Sequence, residues 1–393
     1  MVLLAWVTLA VLISIRLKTA ALIPGHPDFA QPWDHHKYLW MALHGPFDFH
    51  VAPFCWRVGT PLLARLLPFP PEQSFSAIAF ISLWATAAGV YALARRAGFP
   101  FAAGLVGALL FLSQGWMVRS NLENIWKPDA LAACISVAAI VCALDRRARL
   151  FALLLALGVT VKESVLFVAP LYYSLQARRW GDARLLARTI LVALPALAVL
   201  FALRALIPMR NDDPAYIAAL PDTLRIVQLD TSVYDLSWLW RAIALPRLRG
   251  LAPDCAIEGT AGVFGLASIA LAFFAPRRTL RLFTRWAPFL ALVCAQVLFA
   301  TNTQKLLALG FPFVILAALG GAEAVVRRLH APWAAFGALA LALVALSLMR
   351  PWMLVVPARY QAALLAACLA GCALWPAWRE RGANRAPRLT PPP

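Results

Sequence analysis

The sequence predicts an all-α integral membrane protein with about 12 hydrophobic segments, in the range of about 11–13. Three observations support this prediction. The chain of 393 residues is 62% hydrophobic and only 14% charged, whereas about a quarter of the residues in soluble domains are charged. Apolar runs of membrane-spanning length recur along the chain. The basic residues stand in short clusters between these runs, as expected for loop charges that set orientation in a membrane.

The predicted segments cover residues 2–23, 74–94, 100–118, 128–144, 151–161, 164–177, 189–207, 259–275, 286–300, 306–326, 331–349 and 360–378. The first segment lacks a basic start and an AxA-like site, so we expect a retained span rather than a cleaved signal. Residues 1–378 would then form one transmembrane domain, with two long loops at 24–73 and 208–258 that contain short helices. The Pro-rich residues 379–393 are predicted to be a disordered cytoplasmic tail.

The orientation depends on residues 151–177, which could form one long span or two short ones that meet at Lys162-Glu163. Two pieces place 19 basic residues against four acidic ones on one side of the membrane. One long span would move the later basic clusters to the opposite side. The positive-inside rule therefore favours two pieces, with both termini in the cytoplasm and both long loops outside. The same clustering argues that the net charge of +18 serves orientation rather than nucleic-acid binding.

The first long loop concentrates titratable residues, which in a membrane protein mark candidates for chemistry. The pattern from Trp33 to Leu43 predicts a short amphipathic helix that stops at Gly45. Asp34 either caps this helix or acts as a carboxylate general base, and the sequence leaves both alternatives open. The histidines and aspartates of the loop are His26, His35, His36, His44, His50, Asp28, Asp34 and Asp48.

The histidines could bind a divalent metal, with Asp28 or Asp34 adding an oxygen ligand. No HxxxH or HExxH spacing is present, so we favour interfacial histidines with polar tips and expect no metal and no other cofactor. His35 and His36, beside Asp34, are candidates for substrate binding.

Four charged residues elsewhere are candidates for binding a phosphate. Arg57 shares the first loop with Asp34, although a lone arginine there could simply anchor to lipid headgroups. Lys162 and Glu163 lie at membrane depth, where ionisable residues are functional candidates, or they form an internal ion pair. Lys305 starts a span and could merely snorkel to the interface. Weaker candidates in the loop SNLENIWKPDA are Glu123, Lys127 and Asp129.

Together these residues resemble the GT-C superfamily of membrane glycosyltransferases. Three features carry the resemblance: a long outer loop with Asp28 and Asp34 in short helices, the break at Lys162-Glu163, and Lys305 before a span that contains Pro312. The segments PWDHHKYLWMA, APFCWRVGTPLLARLLP and VKESVLFVAPLYY are similar to a group of bacterial inner-membrane proteins without assigned function.

The resemblance implies that a sugar moves from a polyprenyl-phosphate donor to a glycan, lipid or protein acceptor on the outer, periplasmic face. Asp34, or Asp28, would deprotonate the acceptor hydroxyl, and the sugar would pass through an oxocarbenium-like state. Lys162, Lys305 and Arg57 would stabilise the departing phosphate. The first loop has no DxD and no Glu beside Asp34, so the choice of base, metal dependence and the sugar stay open.

Three other functions fit parts of the pattern. A secondary transporter suits 12 spans with both ends inside, but the long loop after the seventh span breaks a six-plus-six division. A membrane-bound acyltransferase would need an embedded histidine, and the only histidine beyond the first loop is His330. A lipid-binding membrane protein without catalysis is the third alternative.

Overall fold

A computed structural model describes residues 6, 9–10, 34–225, 261–296, 303–349 and 356–385. In this part of the chain the structure is all-helical, without a β-strand. The described helices are α1 (Asp34–His44), α2 (Gly59–Leu66), α3 (Pro71–Arg96), α4 (Phe101–Leu112), α5 (Ser120–Glu123), α6 (Asp129–Leu144), α7 (Ala148–Val161), α8 (Ala169–Ser174), α9 (Ala183–Leu206), α10 (Pro214–Ala219), α11 (Asp222–Arg225), α12 (Leu266–Ala272), α13 (Pro276–Ala295), α14 (Thr303–Leu307), α15 (Phe311–Leu329), α16 (Trp333–Met349) and α17 (Ala358–Arg385).

Several predictions concern residues that lie outside the described ranges. They include most of the first predicted segment at 2–23, the candidates His26 and Asp28, and residues 226–258 of the second long loop.

Among the described residues, four helical stretches are long and apolar enough to cross a membrane: α3, α9, residues 305–329 and the Ala358–Pro376 part of α17. A fifth is the pair formed by Phe101–Leu112 and Gly115–Glu123, which bends by 65°. The chain is therefore a multi-pass membrane protein of α-helices. The predicted number of 12 segments is not confirmed, because several apolar helices, such as α6 and α7, are shorter than a full span. The last described helix ends at Arg385, and residues 386–393 of the predicted tail lie outside the described residues.

The chain breaks at Lys162, where the sequence predicted a junction between two short pieces. Helix α7 ends at Val161, and Lys162 has extended backbone angles of φ −162° and ψ 132°. A 3-10 turn follows over Glu163–Val168. Gly158 permits this break, because a Cβ atom there would collide with the side chain of Val165. The second predicted piece, 164–177, is therefore not one α-helix but a 3-10 turn followed by the short helix α8.

The basic clusters meet at one end of the helices. Arg96, the last residue of α3, pairs at 2.6 Å with Asp145, which follows the end of α6. The guanidinium of Arg278 lies 4.4 Å from the ring centroid of Phe99 and pairs with Glu323. We call this the arginine end, and it comprises residues 95–99, 143–147, 174–180, 277–285 and 323–328.

The opposite end carries lysines instead. Helix α6 has 16 residues and therefore spans about 24 Å at 1.5 Å per residue. Its first residue, Asp129, lies far from the arginine end at Asp145. Lys162 and the short helix α14 lie at the same end as Asp129, as their contacts show below. Buried apolar side chains form one cluster that joins the two ends.

Candidate functional site

Asp129 is held between two lysines that are distant in sequence. The Lys162 ammonium lies 2.5 Å from Oδ1 of Asp129, and the Lys305 ammonium lies 2.7 Å from Oδ2. The side chains of Asp129 and Lys162 are only 8% and 7% exposed, and that of Lys305 is 20% exposed. At such burial each charge needs a counter-ion, since an isolated charge would pay a large desolvation penalty. The three residues therefore form one buried ionic cluster.

The backbone explains why these three residues converge. Asp129 is the first residue of α6, where the positive end of the helix dipole favours a carboxylate. Lys162 stands at the extended residue between α7 and the following 3-10 turn, which directs its side chain toward the start of α6. Lys305 lies in α14, just before the 3-10 turn Ala308–Gly310 that leads into α15.

Lys127 adds a third ammonium to the cluster. Its charge interacts with those of Lys305, Asp129 and Lys162, yet its own ammonium has no hydrogen bond or ion pair among the described residues. Burial, followed by repulsion from Lys305, lowers the pKa of Lys127 to about 8. The chain has only five lysines, and three of them are thus gathered at Asp129.

A second set of contacts lies next to this cluster. Nε of Arg57 lies 3.1 Å from Oε2 of Glu163, and Nη1 of Arg57 donates a hydrogen bond of 3.4 Å to the hydroxyl of Tyr38. Lys162 and Glu163, considered above as an internal ion pair, therefore pair with different partners. Burial raises the pKa of the Tyr38 phenol, and the Arg57 charge opposes this only in part, so the phenol stays neutral.

Close packing of Gly59 brings Arg57 to this position. A Cβ atom on Gly59 would lie 2.6 Å from Oγ1 of Thr160, near the end of α7. Only a glycine lets the start of α2 approach so closely to the break at Lys162.

Asp34 lies at the edge of the site. It is the first residue of α1, its side chain is 48% exposed, and it pairs at 3.3 Å with the buried ammonium of Lys37. Lys37 also lies 4.3 Å from the ring centroid of Phe54. The charge of Asp34 raises the pKa of Tyr38 and that of Lys127. Asp34 therefore belongs to the same electrostatic site as Asp129, with a carboxylate that is more open to solvent.

The four loop histidines that the structure describes do not gather at a single point. His35 is buried and its ring packs 4.0 Å from that of His36, whereas the ring of His44 packs 3.8 Å from that of Trp40. Nδ1 of His50 lies 3.1 Å from the carbonyl oxygen of Pro208. In the described part of the chain, no group of three His, Cys, Asp or Glu residues could hold a metal ion.

The balance of charge in this site suits an anion. Among the described residues, five cations face three carboxylates, which leaves an excess of two positive charges. The cations are Lys37, Arg57, Lys127, Lys162 and Lys305, and the carboxylates are Asp34, Asp129 and Glu163.

Sequence reasoning placed Asp129 and Lys127 among the weaker candidates, whereas the structure places them at the centre. One pattern could have raised their rank. In WKPDA a lysine and a carboxylate stand at the start of an apolar segment, on the side of the membrane predicted for Lys162 and Lys305. A carboxylate at membrane depth needs a cation. Lys162 and Lys305, which the sequence predicted on the same side of the membrane, could supply it.

Comparison with known proteins gives only structural neighbours. Neither protein-family models nor curated proteins match the sequence. A solved structure of the Archaeoglobus fulgidus oligosaccharyltransferase AglB, in complex with an inhibitory peptide and a dolichol-phosphate, resembles the chain with 12% identity and a TM-score of 0.43. That match covers 96% of this chain and 55% of the AglB chain. An apo structure of the Archaeoglobus fulgidus oligosaccharyltransferase has 15% identity and a TM-score of 0.45, covering 94% and 55% of the two chains.

The chain thus spans about half the length of these neighbours. They are oligosaccharyltransferases of the GT-C superfamily, the group that the sequence resembles. Similarity at this level does not indicate the activity, which must be inferred from the contacts of the site.

Proposed function

We propose that the chain is a membrane glycosyltransferase that moves a sugar from a polyprenyl-phosphate donor to an acceptor hydroxyl. The observation that carries this proposal is the buried cluster in which Asp129 pairs with Lys162 and Lys305. The ammonium of Lys127, which has no ion pair among the described residues, lies beside them. A departing phosphate gains negative charge as its bond to the sugar breaks, and preassembled cations stabilise that charge best. Compact ammonium groups suit this role because they act as point charges toward several oxygens.

An apolar groove supports a lipid-linked donor rather than a soluble one. The groove has a volume of about 530 Å³ and lies between α12, α13 and α15. One of its ends includes Leu307 and Gly310, which lie two and five residues after Lys305 in the chain. A donor whose phosphate meets the lysines could therefore lay its hydrocarbon chain along this groove. Side chains at that end of the groove are Leu290, Val293, Cys294, Leu307 and Phe313.

Asp34 is the carboxylate best suited to act as general base. Asp129 contacts two ammonium groups, which makes it a weak proton acceptor. Among the described residues, the Asp34 carboxylate pairs with Lys37. About half of the Asp34 side chain is open to solvent, where an acceptor hydroxyl could reach it. Asp28 is the alternative base. His35 and His36 neighbour Asp34 and remain candidates for contacts with the acceptor.

The proposed step is a displacement at the anomeric carbon. Asp34 takes the proton of the acceptor hydroxyl, and the acceptor oxygen bonds to the anomeric carbon. The bond between that carbon and the phosphate oxygen breaks through an oxocarbenium-like state. The electron pair leaves with the phosphate, where Lys162, Lys305 and Lys127 stabilise it. The Arg57–Glu163 pair holds the segment that carries Lys162.

The site would face the outside of a bacterial inner membrane. The arginine end lies at the other end of the helices, and clusters of arginine mark the cytoplasmic side. Both termini would then be cytoplasmic, and the acceptor would be a periplasmic glycan, lipid or protein.

Donor binding tests the role of the lysines. We expect Lys162→Met to weaken binding of polyprenyl monophosphate in nanodiscs by roughly 10- to 100-fold, because a hydrogen bond to a charged group is lost. Lys162→Arg should bind more tightly than Lys162→Met but more weakly than the wild type, since a planar guanidinium replaces a compact ammonium. Arg96→Met serves as a control, because it removes a cation from an ion pair at the arginine end. Equal affinities of Lys162→Met and wild type would leave Lys162 a structural role only.

Turnover tests the base. We expect Asp34→Asn to bind polyprenyl monophosphate normally and to release no free polyprenyl phosphate from a radiolabelled polyprenyl-phosphate hexose. Because Asn is also a good helix cap, the variant should stay folded, which size-exclusion chromatography would show. Full turnover by a folded Asp34→Asn protein would transfer the role to Asp28. A transporter would instead move the lipid without cleaving it.

A further inference from the structure

A second charged cavity lies at the arginine end, opposite the lysine cluster. It has a volume of about 290 Å³ and opens between the segment after α8 and the first half of α13. No carboxylate is among its lining residues, whereas four of them are arginines. Its charged and aromatic lining consists of Arg178, Arg179, Trp180, Arg281 and Arg285.

Within the described ranges, these four arginines have no acidic partner. In the described ranges none of them forms an ion pair, and Arg285 instead donates a hydrogen bond of 3.2 Å to the carbonyl oxygen of Leu175. Arg278, three residues before Arg281, differs because it pairs with Glu323. Arg281 and Arg285 are also four residues apart on α13, a spacing at which like charges destabilise a helix. An anion in the cavity would relieve this repulsion.

A neighbouring cavity extends the site. It has a volume of about 230 Å³ and shares Arg281 and Arg285 with the first cavity. Its other lining residues include Phe99, Leu282 and Leu316, so it is more apolar than the first. An occupant could therefore place a charged group among the arginines and apolar groups beside them.

The surroundings of the two cavities indicate a lipid. On α13 the side chains of Leu280 and Phe283 are 66% and 47% exposed, as expected of groups that face hydrocarbon. Trp180, at the cavity itself, is 56% exposed, and tryptophan favours the boundary between headgroups and hydrocarbon. Basic pockets between helices at this boundary bind the headgroups of anionic lipids.

We propose that the cavity of Arg178, Arg179, Arg281 and Arg285 binds the phosphate headgroup of an anionic phospholipid, which bridges α13 to the segment after α8. The bound lipid neutralises arginine charges that have no ion pair within the described part of the chain. This site lies at the other end of the helices from Asp129 and uses none of the residues around it, although the neighbouring cavity shares Thr279 and Ala317 with the groove proposed for the donor chain.

The experiment compares two double variants with the same loss of charge. Arg178→Gln/Arg285→Gln removes two arginines from the cavity. Arg149→Gln/Arg328→Gln removes two exposed arginines that have no ion pair among the described residues and do not line it. Each protein is purified in a zwitterionic detergent and titrated with phosphatidylglycerol, phosphatidylcholine or inorganic phosphate. Thermal unfolding reports stabilisation, and native mass spectrometry reports the number of lipids bound.

We expect phosphatidylglycerol, but neither phosphatidylcholine nor inorganic phosphate, to stabilise the wild type and the control variant. For the cavity variant, the phosphatidylglycerol concentration that gives half of the maximal thermal stabilisation should rise at least tenfold. The proposal is overturned if the cavity variant responds like the wild type, or if the control variant loses the response equally. Equal stabilisation of the wild type by phosphatidylcholine or by inorganic phosphate would also overturn it.

Discussion

Removing the charge of Asp129 should destabilise the protein more than removing any comparable surface carboxylate. In Asp129→Asn the ammonium groups of Lys162 and Lys305, which now lie 2.5 and 2.7 Å from the carboxylate, would lose their shared counter-ion. Lys127 lies near them and has no ion pair of its own among the described residues. Three cations would thus face one another in a buried site without a compensating charge.

The magnitude follows from the burial of the cluster. All three paired side chains are at most 20% exposed, so solvent screens the interaction little. Breaking a buried pair by removing one partner costs about 3–5 kcal/mol. At about 1.4 kcal/mol per factor of ten, this lowers the folding equilibrium constant by roughly 140- to 3,700-fold. At high pH one of these lysines can lose its proton, which reduces the repulsion. We therefore expect Asp129→Asn to destabilise the protein less at high pH.

Helix α6 offers a matched control for this prediction. Asp145 follows the other end of the same helix and pairs with Arg96, whose side chain is 37% exposed. Asp145→Asn should therefore cost only about 0–1 kcal/mol. Reversible unfolding in mixed micelles, followed by tryptophan fluorescence, gives the free energy of unfolding for both variants. The reasoning is refuted if Asp129→Asn and Asp145→Asn lie within about 1 kcal/mol of each other.

Two further predictions concern pH and packing. Because the pKa of Lys127 is lowered to about 8, its ammonium is charged below that pH and neutral above it, so affinity for polyprenyl monophosphate should fall as pH rises from about 7 to 9. Lys127→Met should bind more weakly and lose this dependence, and an unchanged pH profile would contradict the assignment. A Cβ atom on Gly321 would collide with the carbonyl oxygen of Leu271, so Gly321→Ala should cost about 1–3 kcal/mol. Gly337→Ala, which meets nothing within 4 Å, should be close to neutral in the same unfolding assay.

The parts of the fold that could be predicted are those governed by local pattern. Long apolar runs placed α3 to within three residues, and α9 and α15 to within six residues at either end, because a helix is the structure that satisfies backbone groups in lipid. The break at Lys162 followed from charge, since only a break puts the later arginines on one side of the membrane.

The pairing of charges could not be predicted, because it depends on contacts between distant parts of the chain. Adjacent in sequence, Lys162 and Glu163 suggested an internal pair, but extended backbone at Lys162 sends the two side chains to different partners. The partner of Lys162 lies 33 residues away. No local rule selects Asp129 over the other carboxylates on that side.

Asp34 and Asp129 have different surroundings. This difference explains why the sequence pointed to Asp34 in the first loop rather than to Asp129 in α6. Asp34 stands among histidines in a polar loop, is half exposed, and is available to a substrate. Asp129 is buried and already neutralised, so it is unsuited to proton transfer. Asp129 keeps the lysines together and charged, because buried ammonium groups without a counter-ion repel one another and lose their protons. A phosphate that enters the cluster would meet lysines that are already charged and in place, so little reorganisation is needed when negative charge develops. The carboxylate that assembles the site and the carboxylate that would act in it are therefore separate residues, on α6 and α1.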